Sequence, residues 1–137
     1  MVDRDIILQK VNQMQNCLRR IEETVKGDAE RLEEHDEQDI FVLNLQRAIQ
    51  SAIDLAAHVV SDEALGLPSE LKENFILLKK ARIIDKSLCA RLEKMVGFRN
   101  IAVHEYEEID VGILKSIYKN NLKDLEVFYE RVLRMSK

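Results

Sequence analysis

A chain of 137 residues has material for one hydrophobic core, and a single domain spanning residues 1–137 is expected. Its 46% hydrophobic content excludes a wholly disordered chain, and 4 Gly with 1 Pro supply too little turn chemistry for a many-stranded sandwich or barrel. The formal net charge of −4 argues against a protein that coats DNA by charge alone, but the charge is unevenly spread: residues 1–70 carry 7 Lys/Arg against 15 Asp/Glu, and residues 71–137 carry 14 against 10.

Taken in chain order, the elements are helical. Ile7, Val11, Met14, Leu18, Ile21 and Val25 recur every three or four residues and predict a first helix of about six turns. Gly27 then Asp28 reads as a stop followed by a new N-cap. A polar, Glu-rich start leads into two apolar stripes. One is Phe41, Leu45, Ala48, Ala52, Leu55 and Val59, and the other is Val42, Ile49, Ile53, Ala56 and Val60. Two stripes mean contact on two sides, so this is the expected central helix, ended by Gly66-Leu67-Pro68.

Ser69 is expected to cap a short helix carrying Leu71, Phe75 and Leu78. Asp85 is expected to cap a helix with Leu88, Leu92, Met95 and Val96. Asp110 is expected to cap a last helix from Val111 to Met135, with Asn121 as a polar interruption suited to setting register or to a dimer contact. The fold class is therefore all-α: an antiparallel bundle of four main helices plus a short one. Cys17 and Cys89 form no metal-binding pattern and read as reduced core thiols. No apolar run reaches membrane-spanning length and the N-terminus has no signal-peptide core, so a cytoplasmic protein without a membrane partner is expected.

The segment Phe98-Arg99-Asn100-Ile101-Ala102-Val103-His104-Glu105-Tyr106 does not fit a plain bundle. On a continuous helix Arg99 and Tyr106 lie about 20° apart, whereas His104 lies about 140° from Arg99. For these side chains to serve one site, the helix must end or loosen near Val103, or a second subunit must complete the site. Arg and His suit phosphodiester chemistry without a metal. A guanidinium holds phosphate oxygens and the added charge of a pentacoordinate phosphorus. An imidazole exchanges protons near neutrality with a ribose 2′-OH or a leaving oxygen. One such His per chain again favours a twofold dimer that brings two together. The plainer alternatives stand beside this. His104 can cap a helix end, Arg99 can pair with Glu93 or Glu108, and Tyr106 can be a rim aromatic. His35 reads as solvated, and His58 as a satisfied residue near the core.

Arg99-x4-His104-x-Tyr106 matches the R-x4-H-x-Y signature of HepT toxins in the HEPN superfamily. Asp39-x5-Leu45-Gln46-Arg47-Ala48-Ile49 followed by Ala52-Ile53-Asp54-Leu55-Ala56 resembles that family's central helix. The short helix after Pro68 and the stretch Leu92 to Asn100 fit as well, so the resemblance runs from about Asp5 to Arg131.

The resemblance implies an all-α, HEPN-like bundle that dimerises with the motif at the interface cleft. It implies a metal-independent endoribonuclease without a cofactor, acting as the toxin of a type VII toxin–antitoxin pair. The implied partners are a second copy of the chain, an RNA substrate (tRNA or mRNA) and a minimal nucleotidyltransferase antitoxin of the MntA kind, which transfers AMP from ATP onto the motif tyrosine. By position, Arg99 and His104 are the implied catalytic residues, Asn100 supports them, and Tyr106 is the residue modified to O-AMP-tyrosine. The basic run from Lys79 to Arg99 is then placed to guide RNA. The alternative is a non-catalytic helical module whose Arg/His pocket binds a nucleotide or a partner.

Overall fold

The computed structural model describes residues 3–136, apart from the Glu108 side chain, and within them every regular element is helical. The six α-helices are α1 (Arg4–Val25), α2 (His35–Asp62), α3 (Leu71–Lys80), α4 (Lys86–His104), α5 (Val111–Asn120) and α6 (Leu122–Met135). Short 3-10 turns at Ala29–Glu33 and Tyr106–Glu108 complete the order. None of the described helices is long and apolar enough to cross a membrane.

The helix at the centre is α2, as its two stripes predict. It touches α1, α3, α4 and α6. Every residue of both stripes is buried, and α1 packs along its length through Ile7, Val11, Met14, Ile21 and Val25. Leu88, Leu92, Met95 and Val96 of α4 join the same core, with Phe75 and Leu78 of α3 and Leu125, Phe128 and Val132 of α6. Cys89 is buried in this core and Cys17 is half-buried. Both are free thiols, and burial pushes both upward in pKa.

The helix ends follow the capping rules, with two corrections. Asp3, Asp28, Asp85 and Asp110 each accept backbone N–H bonds at a helix start. The first expected stop holds: Lys26 (φ 54°) and Gly27 (φ 76°) both turn left-handed after Val25. However, α2 stops before Gly66. Ala64 takes the left-handed conformation (φ 52°), and the Leu65 N–H donates to the Val60 carbonyl at 2.9 Å, the bond that closes a Schellman turn. Ser69 is not the N-cap of α3. Glu70, extended at φ −150°, takes that position, and Ser69 instead donates from its hydroxyl to the Glu73 carboxylate at 2.6 Å.

The expected single last helix is two helices. Asn121 closes α5 by donating its N–H to the Ile117 carbonyl (2.9 Å), and its own carbonyl accepts from Asp124 N–H (3.0 Å). The two halves bury against different partners, which explains the break. Tyr118 of α5 turns toward α1: its hydroxyl donates to Glu22 at 2.6 Å, accepts from the Gly27 N–H at 3.1 Å, and its ring meets Phe41 edge-on. Meanwhile α6 packs on α1, α2 and α4, and its buried Asp124 pairs with Arg91 of α4 at 2.8 Å. Four main helices plus a short one therefore become six, with α5 and α6 replacing one long helix.

Candidate active site

Arg99, Asn100 and His104 stand on the last two turns of α4. The core holds these turns through Ala102, which is 2% exposed, while Ile101 (50%) and Val103 (49%) face outward. The helix ends near Val103 as expected, but one residue too late to redirect His104. It runs through His104, with the Glu105 N–H donating to the Ile101 carbonyl at 2.7 Å, and breaks only at Glu105 (φ −136°, ψ 42°). The backbone then winds into the 3-10 turn that carries Tyr106.

The side chains accordingly fall into two linked pairs and one free group. Arg99 is half-buried as a residue, and its guanidinium donates to the Asn100 side-chain oxygen at 3.0 Å in an exposed bond that fixes one end of the fork. The Tyr106 hydroxyl donates to a carboxylate oxygen of Asp39, 67 residues earlier on the second turn of α2. His104 is exposed, and its imidazole has no hydrogen-bond partner among the described residues. Because α4 is unbroken between them, Arg99 and His104 point about 140° apart on one chain. The chain thus brings Arg99 to Asn100 and Tyr106 to Asp39, but does not bring His104 to either pair.

Among the alternatives, the pairing of Arg99 with Glu93 does not form, and that with Glu108 concerns a side chain outside the described ones. His35 is exposed at the first position of α2, as expected. The His58 Nε2 lies 3.2 Å from the Asp62 carboxylate one turn on but makes no hydrogen bond among the described residues, so it is not the satisfied histidine expected. In the basic run, Lys80, Arg82, Lys86 and Lys94 are exposed, while Arg91 is taken up by Asp124. A cleft of about 550 Å³ lies beside Asn100, walled by Pro68–Lys72, Asn74 and Val96. No cluster of three or more His, Cys, Asp or Glu side chains placed to hold a metal occurs among the described residues.

Asp39 is the site residue that sequence reasoning missed. Its segment resembles the family's central helix, but spacing alone could not link it to Tyr106, because the bond joins two distant elements. Partial burial, then the hydrogen bond to Asp39 and that carboxylate's charge, push the Tyr106 phenol up to about 12. A phenol whose folded pKa is raised contributes stability that is present below about pH 10 and is lost as pH rises toward 12. Tyr118 is likewise raised to about 12, so spectrophotometric titration at 295 nm is expected to show two phenols near 12, of which one moves down in Asp39→Asn. An unmoved pair would contradict the contact.

The family model described as ribonuclease HepT-like matches residues 14–132. The mRNA nuclease HepT of Shewanella oneidensis is 35% identical over 126 residues, which cover 92% of this chain and 95% of that protein. The tRNA nuclease HepT of Aphanizomenon flos-aquae is 35% identical over 79 residues, 58% of this chain and 54% of that one. A solved structure of the tri-AMPylated Shewanella oneidensis HEPN toxin in complex with MNT antitoxin superposes with a TM-score of 0.89 at 35% identity, covering 95% of this chain and 98% of that one. The match over most of the chain, the helical fold and the motif at the end of α4 agree: the chain belongs to the HepT-like ribonuclease family.

Proposed function

We propose that this protein is the ribonuclease toxin of a type VII toxin–antitoxin pair, one domain long, acting in the cytoplasm as a homodimer and silenced by AMP transfer to Tyr106. The observation that carries this reading is the placement of Arg99, Asn100, His104 and Tyr106 at one solvent-facing helix end, in a chain alike over 92% of its length to an mRNA nuclease.

The mechanism follows from those side chains. His104 has an imidazole free to take the proton of a ribose 2′-OH or to protonate the departing 5′ oxygen. Arg99, steadied by Asn100, supplies fixed positive charge to the pentacoordinate phosphorus. One chain offers one imidazole, so the second role falls to His104 of a second copy across a twofold axis. Ile101 and Val103, half exposed on either side of this helix end, are the apolar surface such an interface needs. RNA reaches the cleft as single strand or loop, in an mRNA or a tRNA, drawn by Lys80, Arg82, Lys86 and Lys94. An AMP on Tyr106 puts a phosphate and a base two residues from His104. It repels the substrate phosphate and fills its place.

The test uses unmodified protein, a metal chelator and a panel of RNAs, together with the partner nucleotidyltransferase and ATP. Wild type is expected to cleave and to lose cleavage on AMP transfer. Tyr106→Phe is expected to cleave, to take no AMP and to stay active beside the antitoxin. A Tyr106→Phe protein that still gains AMP and falls silent would remove Tyr106 from the regulatory role. An unmodified wild type that cuts nothing would favour the binding-module alternative.

A further inference from the structure

The bond between Tyr106 and Asp39 is not explained by packing. The other tyrosine–carboxylate bond, Tyr118 to Glu22, belongs to a cluster that also engages the Gly27 N–H and the Phe41 ring. Tyr106 has no such support: it is 37% exposed and its ring has no aromatic partner among the described residues. Its turn is short, and its hydroxyl reaches across to an exposed carboxylate on α2. Asp39 is also the charged group that acts on this phenol among the described residues.

From this contact we infer that Asp39 is the proton acceptor for AMP transfer to Tyr106, the residue of the toxin that turns its own phenol into a nucleophile. The inference rests on the proposed role of Tyr106 as AMP acceptor and assigns the chemistry of that step. The Tyr106 oxygen attacks the α-phosphorus of ATP held by the antitoxin. The oxygen–phosphorus bond forms, the α–β anhydride bond breaks, pyrophosphate leaves, and the phenolic proton passes to the Asp39 carboxylate. The need for a base is severe. A phenol with a pKa of about 12 is ionised to only about one part in 10⁵ at pH 7. A carboxylate already bonded to the hydroxyl removes the proton as the new bond forms, so no free phenolate has to accumulate. On this reading the antitoxin brings ATP and the toxin brings the base.

The experiment follows the first AMP added to unmodified protein by intact mass, with saturating antitoxin, ATP and Mg²⁺, from pH 6.5 to 9.5. Asp39→Asn is expected to slow the addition about a hundredfold at pH 7. The deficit should narrow as pH rises, because hydroxide then supplies the phenolate. Asp39→Glu is expected to recover most of the rate, which separates a lost base from a lost fold. An Asp39→Asn protein modified within about threefold of wild type, or slowed by one constant factor at every pH, would overturn the inference and leave Tyr106 as acceptor. A wild type that gains no AMP would instead overturn the role of Tyr106 and this inference with it.

Discussion

Replacing His104 with alanine is expected to lower RNA cleavage by about 10² to 10⁴, the range typical of a lost general acid or base. Stability should hardly move. The side chain is exposed at the last position of α4 and makes no hydrogen bond among the described residues, so its removal opens no cavity and orphans no partner. Exposed substitutions of this kind stay within about 0.5 kcal/mol. The combination is diagnostic: cleavage lost, with the helical circular dichroism and melting temperature retained. Cleavage that survives in clean His104→Ala protein would remove the imidazole from the mechanism, and the arrangement around Arg99 would then need another proton carrier.

The largest expected effect on stability lies in α6. Phe128 is fully buried and meets Phe75 of α3 edge-on, with ring centroids 5.5 Å apart. Truncation to alanine removes the transfer free energy of the ring, leaves a cavity and deletes the aromatic pair. Phe128→Ala is expected to cost about 3–5 kcal/mol. That is a large part of the roughly 5–15 kcal/mol that holds a domain of this size together. Urea unfolding checks it: the midpoint should fall sharply while the slope stays near the wild-type value. A loss below about 1 kcal/mol would mean that α6 does not depend on this contact for its place on the core.

Much of the fold was legible in the sequence because burial is written as periodicity. Both α2 stripes are buried throughout, and Asp28, Asp85 and Asp110 cap helix starts where side-chain chemistry calls for them. What was not legible depends on partners far along the chain. Asn121 breaks the last helix because Tyr118 and Asp124 answer to different neighbours, Glu22 on α1 and Arg91 on α4, and no local pattern encodes that division. Ala64 ends α2 ahead of the more obvious Gly66, in a left-handed conformation that glycine adopts more easily, so local preference did not point to it. At the candidate site, the motif singled out Arg99, Asn100, His104 and Tyr106, and helical geometry raised the difficulty of His104. Asp39 was invisible as a partner of Tyr106, since a single hydrogen bond across 67 residues leaves no spacing to read.

The unbroken run of α4 through His104 has a consequence for dosage. In the proposed homodimer, with Arg99 and His104 of one chain facing apart, the site is shared between two chains and is a property of the pair. Below the dissociation constant of that pair, the number of working sites grows with the square of the chain's abundance. Halving the supply then quarters the cutting capacity. A cell that leaks a few copies of such a chain carries almost no nuclease, and one that accumulates them crosses abruptly into having a great deal.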